Sequence, residues 1–344
     1  MNEAQPTLAP PVPTARRPAA AWALGPLALL LLLLPLLEGV PLVGVLASPF
    51  QRIQMTYGLI FGIAALGFNL LLGYTGLLSF GHSAFFGGAA YTVGFLVRYL
   101  GVTTMELWLA AGVAATVLLA AVFGLVTVRY TRIFFSILML ALSQVLWALA
   151  LKFFWITNGT DGLRIPTPGL LGGLVRTEDK LAFLATTYYY YVLLLFFAAV
   201  GLLWVLTHSP FGYALQAIRD NEVRARFVGI PVRRYRYLAF VVSGGVTGLA
   251  GTLWAPLNGL VTPDILYWPF SGRIVFMAVL GGFKSFAGPM VGGVAYNYLE
   301  TYVIKTTQYW QGLLGVILVA LVLVMPQGII GALGWLRRRA REGA

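Results

Sequence analysis

Two histidines, His82 and His208, are the only imidazoles in the chain, and cysteine is absent. Disulfides, thiol catalysis and cysteine metal sites are therefore excluded, while the redox compartment is left undetermined. A metal site needs three or four ligands. His208 begins a polar loop and His82 lies in a glycine-rich apolar stretch, so His82 reads as a hydrogen-bonded packing histidine and no metal site is expected. The run Gly281-Gly282-Phe283-Lys284-Ser285 looks like a phosphate-binding loop, but Phe283 stands where that loop requires glycine before the lysine. Glu300 is the only acid inside an apolar run away from its end, whereas proton-coupled carriers and intramembrane proteases usually need buried ionisable groups. The potassium-filter sequence TVGYG is also missing. The chain thus reads as a non-enzyme with no cofactor of its own. Any ATP it uses must be bound and hydrolysed by a partner.

The class follows from composition. Of 344 residues 59% are hydrophobic and 10% charged, and the mean hydropathy is +0.85. That is too little polar surface for a soluble globule. The expected fold class is all-α: a polytopic membrane protein of about 10 helices (8–10 if a short pair is re-entrant), partnered by the lipid bilayer. A net charge of +12 would suggest nucleic acid in a soluble protein. Here the basic residues cluster in short loops between apolar spans, where they set orientation, and no nucleic acid is expected.

Residues 1–20 form an expected disordered cytoplasmic tail, rich in Pro and Ala. Arg16 and Arg17 precede the apolar run 19–37, which is long enough to be a retained first helix; a cleaved signal peptide is the competing reading. A second span covers 53–72. It leads into a stretch, 73–95, whose glycines imply close backbone approach or a helix break. Asn69, Tyr74, Ser79, His82 and Ser83 add polar groups there, at a depth where each is costly unless buried or wet. A broken helix lining a pathway accounts for both features, and with Tyr296 and Asn297 these residues are the candidates for a translocation pathway. Spans at 107–128 and 133–156 follow, then a near-neutral external loop, 157–187. Within it Asn158-Gly159-Thr160 fits a sequon but reads better as a turn. Spans at 190–206 and 238–257, two short glycine-interrupted spans meeting at Gly282-Phe283-Lys284, and a last span from 310 complete a single permease domain, 21–335. A basic cytoplasmic tail, 336–344, closes the chain. Both termini then lie in the cytoplasm.

Between spans six and seven lies the only long polar passage flanked by apolar ones, 208–237, with Arg219, Arg224, Arg226, Arg233, Arg234 and Arg236 against Asp220 and Glu222. Its punctuation implies two short helices on the cytoplasmic surface. Ser209 is expected to cap the first, with Pro210 at its first position, and Asp220 to cap the second, closed by Gly229 and stopped by Pro231. Ile218, Val223 and Phe227 are expected to form an apolar contact face.

Three stretches carry a family resemblance: Ala217-Ile218-Arg219-Asp220-Asn221-Glu222 followed by Val228-Gly229-Ile230; GYTGLLSFGHSAFFGGAAY from Gly73 to Tyr91; and Ala239 to Pro256 with Thr262 to Gly282. They resemble permease subunits of ABC importers of the branched-chain amino acid (LivM) type, over about residues 50 to 330. The resemblance implies an ABC importer permease fold in a prokaryotic inner membrane. It also implies a second permease as heterodimer partner, two ATP-binding cassette subunits and a periplasmic or extracellular substrate-binding protein. The loop residues Ala217, Ile218, Arg219, Asp220, Asn221, Glu222, Ala225, Phe227 and Gly229 would then couple to the ATPase. Branched-chain amino acids are the expected solutes, with urea, short amides or another small polar solute as alternatives. A passive solute channel or a purely structural subunit also fits the composition.

One recurrence stands out. Ser79-Phe80 leads to GGAAY ending at Tyr91, and Ser285-Phe286 leads to GGVAY ending at Tyr296. It suggests a duplicated unit, yet both copies run the same way through the membrane, whereas two four-helix units flanking span six should be inverted. The assigned orientation predicts that a cysteine at Thr177 reacts with an impermeant reagent from outside and one at Val232 does not.

Overall fold

The computed structural model describes residues 48–130, 132–170, 172, 179–325 and 327–332. The expected first span, both tails and Thr177 lie outside the described residues. Helix α1 (Pro49–Thr75) starts where the Ser48 hydroxyl accepts from the Gln51 amide, with proline at its first position, and ends at Gly76 in a left-handed conformation (φ 72°). A non-helical stretch, 76–81, separates it from α2 (His82–Leu100). Helices α3 (Met105–Thr127) and α4 (Arg132–Lys152) follow. The connection after α4 is a short helical turn, a 3₁₀ turn and a two-residue strand, β1 (Leu163–Arg164). Its Asn158 is left-handed (φ 65°) and donates its amide to the Gly162 carbonyl at 3.1 Å, which makes Asn158-Gly159 a turn.

Helix α5 spans Lys180–Thr207 with one π turn at Phe183–Thr187. The loop expected over 157–187 is therefore shorter at its end, because the Asp179 carboxylate accepts from the amides of Leu181 and Ala182 and starts the helix early. Two short helices, α6 (Pro210–Asp220) and α7 (Glu222–Phe227), lead to α8 (Val232–Asn258). This helix begins six residues before the apolar run expected at 238, so Arg233, Arg234 and Arg236 belong to it rather than to the loop. Strand β2 (Leu260–Val261) pairs antiparallel with β1, and a 3₁₀ turn, Pro263–Leu266, precedes α9 (Trp268–Gly281), α10 (Gly288–Thr306) and α11 (Trp310–Val324). Six helices among the described residues are long and apolar enough to cross a membrane.

The helices are held by small residues rather than by an apolar stripe, as expected where the solvent is itself apolar. Helices α1 and α8 cross at the centre, where the Ser243 hydroxyl donates to the Gly67 carbonyl at 2.7 Å. Each packs against a helix of the other half: α1 against α10, α8 against α3. At the first crossing a β-carbon on Gly293 would lie 2.5 Å from the Gly62 nitrogen. Helix α2 packs on α3 and α9 on α10 in the same way. The series α1 to α4 and α8 to α11 are thus wired alike: long helix, non-helical break, second helix, helix that crosses to the other half, and a peripheral helix.

Their directions are opposite. The Arg219 guanidinium at the end of α6 donates to the Gly73 carbonyl at the end of α1, and α8 begins at that same loop. The two halves are an inverted pair. This answers the recurrence of GGAAY and GGVAY: the first lies on α2 and the second on α10, which hold different places in the wiring. The true counterpart of α2 is α9, and the sequence similarity does not mark the repeat.

The opposite end of the bundle carries β1, β2 and the loop before them, where the Tyr99 hydroxyl donates to the Ile156 carbonyl at 2.9 Å. Val232 is buried, so a cysteine there would stay unlabelled in either orientation. Exposed positions at the two ends, Thr160 and Val228, make the test decisive. A cysteine replacing Thr160 is expected to react from outside intact cells, and one replacing Val228 only after permeabilisation.

Candidate functional site

The non-helical stretch before α2 and the first turn of that helix bring Ser79, His82 and Ser83 to the interior, all buried. Ser243 already donates to Gly67, so its oxygen accepts from His82 Nε2 at 2.9 Å, and His82 Nδ1 accepts from the Ser79 hydroxyl at 3.0 Å. The network assigns a neutral imidazole protonated at Nε2. Phe68 and Phe85 meet its ring edge-on, at 5.0 and 5.6 Å. His82 is the packing histidine that its surroundings in the sequence suggested. It ties α2 to α8 and, through Ser243, to α1.

One residue on, the Ser83 amide donates to the Ser271 hydroxyl at 2.8 Å, and the Ser83 hydroxyl donates to the Leu266 carbonyl at 3.1 Å. The first turns of α2 and α9 therefore meet in the interior. Each starts after a non-helical break, one entering from the basic-loop end and the other from the opposite end.

The remaining pathway candidates lie elsewhere. Asn297, on α10, donates to the Gln54 carbonyl at 2.8 Å and accepts at its own carbonyl from the Gln54 amide at 3.2 Å, which locks α10 to α1. Tyr296 is buried on the same helix. Asn69 is buried with neither side-chain atom hydrogen-bonded, close to Gly73 and the Phe283 carbonyl. Tyr74 sits beside Thr207 and Arg219 at the basic-loop end. The structure brings together Ser79, His82 and Ser83, and it places Asn69, Tyr74, Tyr296 and Asn297 apart from them.

The basic loop is a second constellation. Proline at the first position starts α6, but the Ser209 hydroxyl donates back to the Leu206 carbonyl at 2.7 Å rather than capping forward. Asn221, not Asp220, caps α7: its side-chain oxygen accepts from the Arg224 amide at 2.9 Å, while Asp220 ends α6 and pairs with Arg219 at 3.3 Å. Gly229 closes α7 in a left-handed conformation (φ 84°). Ile218, Ala225 and Val232 are buried together, with Ile230 and Tyr235 against them. Phe211 stacks on Tyr235 at 5.4 Å.

Ile218 is thus the inner face of the loop and does not share an outward surface with Val223 and Phe227. The outward surface is Val223, Phe227 and Val228, exposed by 62, 86 and 72%. Ala217 is exposed on α6, whereas Ala225 is buried on the inner side of α7, so a proline at Ala225 would disturb packing as well as the helix.

Glu222 braces this arrangement. It accepts from the buried Arg236 guanidinium at 2.8 Å and from Arg226 one turn along. Burial pushes its carboxyl up, but the two guanidiniums outweigh burial and hold it below the ordinary value of 4.5.

A long apolar helical chain with a braced basic loop, broken helices and no nucleotide loop matches the family model described as the branched-chain amino acid transport system permease component, over residues 53–323. The chain belongs to that permease family. Among its relatives, the high-affinity branched-chain amino acid transport permease LivM of Escherichia coli is 28% identical over 294 residues, covering 80% of this chain and 68% of the relative. The LivH permease of Salmonella typhimurium is 27% identical over 296 residues, with 80 and 93% covered. BraD of Pseudomonas aeruginosa is 23% identical over the same extent. No solved structure matches.

Several residues that shape this permease escaped the sequence reading. Ser243 and Ser271 are small polar residues that blend into glycine-rich packing. Asn221 stands beside an equally plausible cap. Arg273 forms an ion pair with Glu300 at 3.3 Å, and its signal was plain: a lone guanidinium within an apolar helix.

Replacing His82 with Leu leaves the Ser79 and Ser243 hydroxyls short of a partner, at a cost of about 2 kcal/mol. The melting temperature in detergent is expected to fall; an unchanged value with abolished transport would make His82 a pathway residue. Because the folded Glu222 carboxyl is depressed, its stabilising pair is complete above pH 4.5 and is lost as pH falls through the lower folded value. Amide exchange in α7 is expected to be slow near pH 6 and to lose its extra protection on acidification. Glu222→Gln should show the fast behaviour at all pH values.

Proposed function

We propose that this chain is the membrane-spanning permease subunit of an ATP-driven importer in a prokaryotic inner membrane. It translocates branched-chain amino acids (leucine, isoleucine, valine) handed over by an external binding protein. It pairs with a second permease, and two ATP-binding cassette subunits bind and hydrolyse the ATP. Both termini and the α6–α7 loop lie in the cytoplasm.

The observation that carries this reading is the outward surface of Val223, Phe227 and Val228. Three large apolar side chains stand in water on a loop that is otherwise rigidly packed, and a loop that only fixed topology would need charge and no such surface. Arg224 and Arg226, exposed on α7 beside it, suit acidic groups on a partner. The apolar knob inserting into a groove of the ATPase subunit, with arginines at its rim, has the anatomy of an interface anchor.

Alanine at Phe227 removes a side chain that supports nothing in the fold. It is expected to weaken ATPase binding by about 2 kcal/mol, roughly 30-fold in affinity, and to lower uptake in proteoliposomes accordingly, with membrane insertion unchanged. Uptake and assembly equal to the unsubstituted protein would leave the loop as a topogenic element only.

A further inference from the structure

Among the described residues the central helices pack backbone to backbone. A β-carbon on Gly251 of α8 would lie 2.0 Å from the Phe86 carbonyl oxygen of α2, and Gly62 and Gly293 meet backbone to backbone. These contacts direct attention to the outer faces of the chain as the place for a pathway. One face is marked by charge. Arg273 on α9 and Glu300 on α10 form a 3.3 Å ion pair in which the Glu300 side chain is 10% exposed and the Arg273 side chain 38%. The guanidinium carbon also stands 6.0 Å from the centre of the Trp310 ring on α11.

The depth of the pair follows from the helices. Gly281, ending α9, and Gly288, starting α10, touch each other at the basic-loop end. At the helical rise, Arg273 is about 12 Å along α9 from that end and Glu300 about 18 Å along α10. In a hydrocarbon core of about 30 Å both lie near the middle. A guanidinium more than a third exposed at mid-depth is too costly to face lipid tails; such groups face water or protein and mark solute routes. Phe276 and Gly272 share its exposed stripe.

We propose that this face of α9 and α10 borders the translocation pathway and that Arg273 and Glu300 receive the two charges of a zwitterionic amino acid. The guanidinium takes the carboxylate and the Glu300 carboxylate takes the ammonium. The intramolecular pair is exchanged for two intermolecular ones, so no net charge is created at mid-membrane at any stage. An apolar side chain then lies along Phe276 and Trp310. The choice of an amino acid rests on the proposed function; the aqueous face rests on the charge pair alone.

The native chain has no cysteine, and a β-carbon on Gly272 meets no atom within 4 Å. Gly272→Cys therefore probes the face without touching either charge. In the complete transporter, reconstituted with its partner subunits, it is expected to react with a charged, impermeant methanethiosulfonate, and leucine supplied with the binding protein should protect it. Arg273→Gln and Glu300→Gln are each expected to lower leucine uptake about tenfold or more, the loss carried by a charge-assisted hydrogen bond. ATP hydrolysis stimulated by the binding protein should persist.

An unreactive Gly272→Cys would overturn the aqueous face and assign it to a sealed subunit contact. Uptake within about twofold of normal in either glutamine variant would reduce the pair to a structural bridge. A transporter that never moves leucine would overturn the substrate reading, while the Gly272→Cys labelling still decides where the pathway runs.

Discussion

Every interruption of a membrane helix exposes backbone amides and carbonyls that hydrocarbon cannot satisfy. This chain interrupts two helices and solves both problems with one contact. The Ser83 amide and hydroxyl are paired with Ser271 and Leu266, so the start of α2 and the approach to α9 satisfy each other. Both breaks must therefore sit in the protein interior, and the helices around them must bury them. That accounts for the central position of α1 and α8 and for the peripheral one of α3, α4 and α11, whose apolar surfaces face outward. It also accounts for the glycines and small hydroxyl residues at the crossings, since only short side chains let four helices close around two breaks.

The inverted wiring follows from the same constraint. A break that enters from one end and a break that enters from the other can meet head to head only if their parent helices run antiparallel. Helices α1 and α8 do so, and they are fixed to one another by the chain from Ser79 through His82 and Ser243 to Gly67. The imidazole contributes a donor and an acceptor on opposite sides of one rigid ring, which neither a hydroxyl nor an amide can place at that span.

Much of this was legible in the sequence. Hydropathy and charge gave the helical membrane class, the glycine-rich stretch gave the broken helix, and Gly229 with Pro231 gave the end of the second short helix. His82 was readable as a packing residue because a metal would need more ligands. What failed was direction. Ile218 was grouped with Val223 and Phe227, although the turn at Asn221 rotates α7 relative to α6 and turns Ile218 inward. Asp220 and Asn221 are both good caps, and only the backbone at Asn221, extended at φ −158°, chooses between them. Polar residues at depth were read as candidates for a pathway, and His82, Ser83 and Asn297 among them are partners in helix crossings, because the cost of burial constrains a polar group to be satisfied without saying by what. The GGAAY and GGVAY recurrence misled for a related reason. Small residues recur wherever helices cross closely, so similarity of packing stood in for similarity of descent.

The loop grips both central helices at the same end. Arg219 donates to the last turn of α1 at Gly73, and Glu222 holds Arg236 in the first turns of α8. A displacement of α6 and α7 is therefore delivered to α1 and α8 together. Since those helices are tied to each other at Gly67, Ser243 and His82, they cannot separate under it and must move as one body, carrying the starts of α2 and α9 with them. Relative motion is left to the faces outside this body, and α11 is the loosest of these, with only Leu314 and Leu318 buried. On the proposed function, a push on this loop would thus reach the middle of the membrane through α1 and α8, with α11 free to shift against them.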